Sequence, residues 1–463
     1  MEHSRLALHK KMSTKEEKYF IVGKDEKAMG GRILGMDAKN RFYAAKADAS
    51  TNQNVAVIGT PGSGVTASFL LPRLYQDIQT GKSFIVTDPV GLVYSNSSYL
   101  AANNGYKIRV LNLKPLQTEC SDGINLLSGI SDKTAEEINR IACIILENTD
   151  FETENTKNEN EAEEKSVSDC EFNLLSALLF ILRDTQTIPE QEKTLVKLYD
   201  TLTVVSAKQL EEYIRTSTVK EDAKASVDAY CNAANEIKRK ASLRLKERLV
   251  VLSDYKIRNI LLHDDIDVHA PAKEKCAYYV MISEFDCAKS CLITSLFYHE
   301  LLTALFADPQ PKVDVDVVMS DLETTGVVSD LFHLSNSDHI SVAFTVDGIR
   351  RLKNLYPDSV WQDIMRSFGT RILLHGADDK ETDQYFADLI DGTEILTTGE
   401  TMPQIGRITA DMLRMMTENE LLVNSDKYTI VLEKYHYWVN ALYNQKQTTT
   451  TENYVPVWKR EEA

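Results

Sequence analysis

The sequence GTPGSGVT at residues 59–66 has the glycine spacing of a loop that binds phosphate groups. Glycines allow successive backbone N–H groups to surround a phosphate at the start of a helix. Thr66 has the hydroxyl that such loops use to bind Mg²⁺, whereas Val65 replaces the lysine that contacts the β- and γ-phosphates. A tight turn that binds nothing is as good an interpretation as retained nucleotide binding. The candidate binding residues are Gly59, Thr60, Pro61, Gly62, Ser63, Gly64, Val65 and Thr66.

The segments around this loop predict the fold that positions it. NVAVI (54–58) is a short β-branched run before the loop, and TASFLLPRLYQDI (66–78) has a helical pattern after it. Two further apolar runs, SFIVTD (83–88) and YKIRVLNL (106–113), have the length and composition of buried strands. Alternation of strands and helices predicts an α/β fold with a mostly parallel central sheet.

A long helical segment interrupts the α/β pattern. Residues 131–262 contain apolar residues at helical spacing and no convincing strand, which predicts an inserted all-α domain. Within it, residues 147–171 are acidic and poor in large apolar side chains, so we expect a mobile loop there. The α/β domain is accordingly predicted in two parts, 54–130 and 263–440.

The two ends of the chain have different patterns. Residues 1–53 are turn-rich and predict an N-terminal lead-in with short strands. Residues 441–463 include a threonine-rich run and predict a flexible tail.

Composition restricts the classes of protein to consider. The 463 residues carry 69 Asp and Glu against 52 Lys and Arg, a net charge of −17 that disfavours nonspecific binding to nucleic acid or anionic membrane. The longest apolar run is far shorter than the ~20 residues of a membrane-spanning helix, so we expect no direct membrane insertion and a cytoplasmic protein. Seven cysteines without a Cys-x-x-Cys pair predict reduced thiols and no structural metal.

The stretch from Asn54 to Leu127 resembles the nucleotide-binding segment of TraG/TraD-type coupling proteins of conjugation and type IV secretion, including the clostridial VirD-like branch. The similar segments are VIGTPGSGVTASFLLPRL, SFIVTDPVGLVY, NNGYKIRVLNL and GINLL. The resemblance continues in residues 264–305 and covers roughly residues 30–440. It implies a RecA-like P-loop NTPase fold with an inserted all-α domain.

Several charged positions of the family differ in this chain. The family's Asp-Pro-Lys-Gly-Glu is replaced here by DPVGL (88–92), with Val90 in place of lysine. DVVMSDLETTG (316–326) lies where the family has the acidic strand that holds Mg²⁺ and polarises the attacking water. Aligned on Gly326, these two acids correspond to Ser320 and Asp321. A one-residue shift instead places Asp321 at the metal and Leu322 at the base.

The position of the family's γ-phosphate sensor also differs in this chain. Residues 340–395 resemble the family's sensor strand and the helix after it, and Asp347 occupies the position of the sensor glutamine. A carboxylate would repel a γ-phosphate. The vestigial catalytic positions are thus Ser320, Asp321 and Asp347, and the candidate metal-binding residues are Thr66 and Asp321.

The resemblance and these differences together suggest a degenerate coupling protein. We expect a pseudo-ATPase that acts as a scaffold, adaptor or regulator of an active coupling ATPase, with ATP and Mg²⁺ bound weakly or not at all. The alternative is a protein that still binds or hydrolyses ATP and moves DNA or protein to the secretion channel, with Arg350, Arg351 or a neighbouring subunit supplying the missing cation.

The resemblance also implies partners. The expected partners are other components of conjugation or type IV secretion. The resemblance also implies that the protein is recruited to a membrane secretion complex and that it forms a hexamer-like oligomer. Residues 238–248 form a basic helical segment that offers a DNA-binding surface, although a solvated helix face is the commoner explanation for such a pattern.

Overall fold

One mixed sheet of 13 strands organises the part of the chain that the structure, a computed structural model, describes. The described residues are 18–26, 29–46, 52–115, 117–149, 161–283, 287–334, 336–375, 379–391, 393–396 and 409–461. The strands are β1 (Phe20–Gly23), β2 (Ile33–Met36), β3 (Phe42–Ala45), β4 (Val55–Ile58), β5 (Ser83–Thr87), β6 (Lys107–Asn112), β7 (Cys276–Met281), β8 (Val315–Met319), β9 (Ile340–Val346), β10 (Thr370–Leu374), β11 (Glu394–Leu396), β12 (Glu420–Ser425) and β13 (Tyr428–Glu433).

The strand order confirms a mostly parallel centre. It runs β1-β3-β2-β13-β12-β10-β4-β9-β8-β5-β7-β6, with β11 paired to β13. Every neighbouring pair from β10 to β6 is parallel. On the other side of β10, the pairs that join β12, β13, β2, β3 and β1 are antiparallel. The central part is the α/β arrangement predicted for a RecA-like P-loop NTPase fold.

Helices cover both faces of the sheet. β4 shows why, since its side chains alternate between two apolar clusters, with Ala56 and Ile58 in one and Val55 and Val57 in the other. The helices are α1 (Leu71–Thr80), α2 (Leu92–Asn103), α3 (Ala135–Glu147), α4 (Glu161–Asp184), α5 (Leu195–Val204), α6 (Ala207–Thr216), α7 (Lys224–Asn232), α8 (Asn235–Arg248), α9 (Tyr255–Leu262), α10 (Cys287–Ala307), α11 (Leu322–Thr325), α12 (Ile349–Leu355), α13 (Val360–Ser367), α14 (Lys380–Ile390), α15 (Ala410–Arg414) and α16 (Val457–Glu461).

The long apolar helix α10 is a core element. Its segment Ser290–Ala307 has the length and composition of a helix that could cross a membrane, and 72% of that segment is buried inside the protein. Core helices of globular proteins share this composition, so the segment is weak evidence for a membrane span.

The segment between β6 and β7 contains helices and no strand among its described residues. Local sequence explains where some of these helices begin. Thr134 and Glu137 form a reciprocal capping box at the start of α3, in which the Thr134 hydroxyl accepts from the Glu137 N–H and the Glu137 carboxylate accepts from the Thr134 N–H.

The predicted mobile loop at 147–171 is wrong over residues 161–171, which form the first half of α4. Residues 150–160 of that prediction lie outside the described residues. Composition misled the prediction because α4 places acidic side chains against the basic helix α8. Lys240 pairs with Glu163 at 2.6 Å, and Arg244 pairs with Glu171 at 2.7 Å.

The same pairing changes the interpretation of the basic segment 238–248. Arg248 also binds Glu171, at 2.8 Å, and Lys238 binds Glu211 at 2.9 Å. Much of the positive charge on α8 is therefore neutralised by carboxylates of this chain. The segment is part of an intramolecular ion-pair network, and we base no DNA-binding proposal on it.

Glu171 holds this network together, because it is 1% exposed and binds two arginines. We expect Glu171→Gln to lower the free energy of unfolding by about 1–3 kcal/mol, since it leaves charged groups without their buried counter-ion. Glu163→Gln is the matched control, because its side chain is 40% exposed and an exposed pair contributes only about 0–1 kcal/mol. Urea unfolding followed by circular dichroism measures both, and equal effects would contradict a central role for Glu171.

The predicted flexible tail is also wrong for the described residues 441–461, which pack against the body of the protein. Tyr454 is buried, and its hydroxyl donates to Asp122 at 2.5 Å. The Val457 N–H donates to the same carboxylate at 2.8 Å, and the Trp458 ring stacks on His263 with centroids 5.1 Å apart. A few anchoring side chains hold a segment whose average composition is that of a loop.

Candidate functional site

The loop at residues 59–66, which we call the phosphate loop, is a tight turn with two left-handed glycines. Gly62 and Gly64 both have φ of +87°, in the left-handed region that side chains other than glycine rarely adopt. Between them, the Ser63 N–H donates to the Thr60 carbonyl at 2.9 Å and closes a tight turn. At the start of the loop, a Cβ on Gly59 would lie 2.6 Å from the Ser63 Oγ and 3.0 Å from the Leu374 Cβ, so a larger residue would require these side chains to shift.

The loop leads directly into a helix. Val65 has right-handed helical dihedrals, and Thr66 begins a π-helical turn, Thr66–Leu70, that continues into α1. Val65 and Thr66 are both half-buried, and Val65 packs against the apolar cluster that includes Val57. The free N–H groups of a helix start favour anions, so this geometry suits a phosphate although position 65 carries no charge.

A lysine from a distant part of the sequence contacts this loop. The Lys434 ammonium donates to the Ser63 carbonyl at 2.7 Å and to the Glu418 carbonyl at 2.5 Å. Lys434 is 4% exposed, and burial lowers its pKa, an effect that the Glu418 carboxylate partly opposes. Sequence reasoning missed this residue; the only available signal was a lysine directly after the last apolar run, TIVLEK (429–434).

Asp88, at the end of β5, stabilises a helix start. Its carboxylate accepts the Gly91 N–H at 2.8 Å and the Tyr94 N–H at 2.7 Å. Burial raises its pKa, and these backbone donors oppose the shift. Val90 and Leu92, which replace charged residues of the coupling-protein pattern, are 61% and 49% exposed. The loop after β5 thus keeps its turn structure while presenting apolar side chains to solvent.

Ser320 and Asp321, which stand where the family has its two acids, follow β8. Ser320 is buried, and Asp321 has φ of +55° at the start of the short helix α11. The Asp321 N–H donates to the Thr345 hydroxyl at 2.8 Å, which ties the end of β8 to β9. β9 lies between β8 and the loop strand β4, so Asp321 and the phosphate loop are at the same edge of the sheet, one strand apart.

A second carboxylate, Glu323, lies beside the sensor position. Burial raises the pKa of Glu323, Arg351 opposes that shift from 3.5 Å away, and Asp347 adds to it. The Glu323 Oε1 atom is buried and has no hydrogen-bond partner. Arg350, the other arginine considered as a substitute cation, donates its backbone N–H to Asp379. Arg351 therefore forms an ion pair with Glu323.

Topology brings these positions together. The loop at 59–66, Asp321 and Asp347 directly follow β4, β8 and β9, which are parallel neighbours with their carboxyl ends at one edge. Ligands of open α/β sheets bind at this edge. Among the described residues, no three His, Cys, Asp or Glu side chains gather into a site that could hold a metal ion by themselves. The donor set fits a phosphate through backbone N–H groups better than it fits a resident metal.

Solved structures with this architecture include two of interest. The plasmid coupling protein TrwB in complex with ADP and Mg²⁺ has a TM-score of 0.60 and 12% identity, with 93% of this chain and 96% of that chain covered. VirB4 of Thermoanaerobacter pseudethanolicus has a TM-score of 0.52 and 14% identity, with 89% of this chain and 98% of that chain covered. At such low identity these similarities establish the fold alone. No curated protein matches the chain in sequence.

A family comparison goes further than the fold. The family described as type IV secretory system conjugative DNA transfer matches residues 6–394. This match covers most of the chain, including the phosphate loop, the helical segment and the acidic strand. The chain therefore belongs to the type IV secretory system conjugative DNA transfer family.

Proposed function

We propose that this coupling-protein homologue is a pseudo-ATPase that serves conjugative DNA transfer or type IV secretion as a scaffold, adaptor or regulator. The observation that carries the proposal is the contrast between conformation and chemistry at residues 59–66. The loop keeps two left-handed glycines and the helix start that follows them, yet Val65 provides no charge. Ser320 and Asp347 likewise provide no metal-binding acid and no sensor amide at their positions.

The expected catalytic deficit is large. The cation on the phosphates and the base for the attacking water each contribute about 10²–10⁴-fold to such reactions. We therefore expect phosphate release at saturating ATP and Mg²⁺ to equal the rate in buffer. A family member with a lysine in its loop is the positive control. Steady turnover by this chain, lost in Asp321→Ala, would overturn the proposal.

Glu323 favours a second candidate function, residual ATP hydrolysis that moves DNA or protein to the channel. A carboxylate with a raised pKa and a buried, unpartnered oxygen at this edge of the sheet has the properties of a general base. In this case turnover would disappear in Glu323→Gln, and Arg351 would supply the cation. Turnover that persists in Glu323→Gln would exclude this arrangement.

The scaffold proposal places the protein on the cytoplasmic side of a secretion complex, next to an active coupling ATPase. Family membership supports components of that machinery as partners. Co-expression with the other transfer proteins of the same element, followed by affinity purification, tests the interaction. Recovery of an active homologue in a defined complex, including a mixed hexamer-like ring, is the expected result. A chain that stays monomeric and unaccompanied would contradict the adaptor role.

A further inference from the structure

The topology of the last hairpin brings Lys434 to the phosphate loop. β12 is antiparallel to both β10 and β13, so β13 runs in the same direction as β10 and β4. The carboxyl end of β13 therefore lies at the same edge as the carboxyl end of β4. Lys434 follows β13 directly and reaches the Ser63 carbonyl.

The ammonium of Lys434 is buried, and the Glu418 carboxylate that attracts it lies beyond ion-pair distance. Its two hydrogen-bond acceptors are the backbone carbonyls of Ser63 and Glu418, and no carboxylate in the described ranges forms an ion pair with its ammonium. Burying a charge is costly unless another charge compensates it. A buried cation beside a glycine loop at a helix start is an electrostatic environment that an anion would complete. The buried Ser63 Oγ, which has no hydrogen-bond partner, lies at the same loop.

The contact also acts on the loop itself. The Ser63 carbonyl and the Gly64 N–H belong to one planar trans peptide group and point in opposite directions. A cation on the carbonyl polarises the peptide and makes its N–H a stronger donor. Lys434 therefore strengthens the Gly64 N–H as a hydrogen-bond donor from the opposite side of the peptide group.

We propose that Lys434 supplies the positive charge that Val65 lacks, and that residues 59–66 thereby bind the phosphate groups of a nucleoside di- or triphosphate. Lys434 is a positioning residue in this arrangement because it acts through the Ser63–Gly64 peptide. The inference rests on the proposed function in treating these residues as the nucleotide loop of a coupling-protein fold, and it concerns nucleotide binding alone, whether or not hydrolysis follows.

Calorimetric titration with ADP, with and without Mg²⁺, tests the proposal. Loss of one charge-assisted contact corresponds to about 10- to 100-fold, so we expect Lys434→Met to weaken ADP binding by that factor. Lys427→Met is the matched control, because Lys427 is an exposed lysine just before the opposite end of β13, and we expect its affinity to stay within about twofold of wild type. Pyrophosphate, which lacks the nucleoside, should show the same loss in Lys434→Met.

A second measurement on the unaltered protein keeps the test decisive if Lys434→Met fails to fold. Besides Lys434, the titratable groups that interact with its ammonium are the Glu418 carboxylate and His436, whose pKa burial and Lys434 both lower. Burial lowers the pKa of Lys434, so its ammonium loses its charge at a lower pH than an ordinary lysine does. ADP affinity should therefore fall as the pH is raised from neutral towards the ordinary lysine range in wild type and in Lys427→Met, and should stay flat in Lys434→Met.

Two results would overturn the inference. One is the absence of ADP binding to wild type, and the other is binding that neither Lys434→Met nor pH changes. Both leave the scaffold proposal intact, because they concern binding alone. Phosphate release measured in the same samples tests that proposal separately, since turnover would overturn it even if Lys434 proved to hold the nucleotide.

Discussion

Replacing Arg73 with methionine is expected to lower the free energy of unfolding by about 3–5 kcal/mol. Arg73 lies on α1, the helix after the phosphate loop, and is 3% exposed. Its guanidinium binds Asp316 of β8 in a bidentate manner, with two contacts of 2.6 Å. Asp316 is fully buried, and Ser341 also donates to it at 2.6 Å. The substitution would leave this carboxylate in the core with a weaker counter-charge.

The charges around the Arg73–Asp316 pair explain why replacing Arg73 tests its contribution to stability better than replacing Asp316 does. Arg32 binds both Asp316, at 3.2 Å, and Asp77, at 2.8 Å. Burial raises the pKa of Asp77, while Arg73 and Arg32 outweigh burial and lower the pKa of Asp316. In Asp316→Asn, Asp77 could ionise and compensate for the lost charge. Among the described residues, Arg32 is the other cation on Asp316, and its single contact of 3.2 Å does not replace the bidentate pair.

Urea unfolding followed by circular dichroism measures the effect, and Arg239→Met is the matched control. Arg239 is 63% exposed and pairs with Glu236 on the surface of α8, so its loss should change stability by less than about 1 kcal/mol. A change of less than about 1 kcal/mol in Arg73→Met would contradict the view that this cluster fastens α1 to the sheet. If folded Arg73→Met bound ADP more weakly than wild type, the Arg73–Asp316 pair would also be needed to hold the phosphate loop in place.

This cluster illustrates which features the sequence could reveal. The strands around the loop were predictable because buried parallel strands are short, β-branched and apolar on both faces, as NVAVI (54–58) is. The helix after the loop was predictable from its 3.6-residue period. The partners of Arg73 were not, because Asp316 is 243 residues away and a buried aspartate looks in sequence like any polar residue of a strand end.

The errors at residues 161–171 and 441–461 have a related cause. Composition describes a segment by itself, whereas the acidic half of α4 is ordered by arginines of α8 and the tail is anchored by Asp122. Lys434 escaped attention for the same reason, since its role depends on a strand order that no local pattern encodes. Local periodicity predicts elements, while complementary charge between distant elements decides which polar segments become ordered.

The proposed loss of chemistry leads to an expectation for a rebuilt site. The resemblance to coupling proteins implies that Val65 replaces the lysine and, when aligned on Gly326, that Ser320 and Asp321 replace the two acids. The loop and the end of β8 keep their positions at the sheet edge, so the scaffold that would orient restored groups is present. Groups that act as a unit are strongly non-additive in catalysis. Single substitutions should therefore leave turnover at background.

The combination Val65→Lys, Ser320→Asp and Asp321→Glu is expected to raise phosphate release by at least about 10²-fold over wild type, because it restores the phosphate cation, the metal-binding acid and the base together. A matched control carries Val65→Met with the same two acids. Phosphate release and ADP binding measured on each variant separate catalysis from affinity. Turnover restored by Val65→Lys alone would show that Asp321 already binds the metal with Glu323 as the base, and would replace the pseudo-ATPase by an enzyme that lacks a single cation.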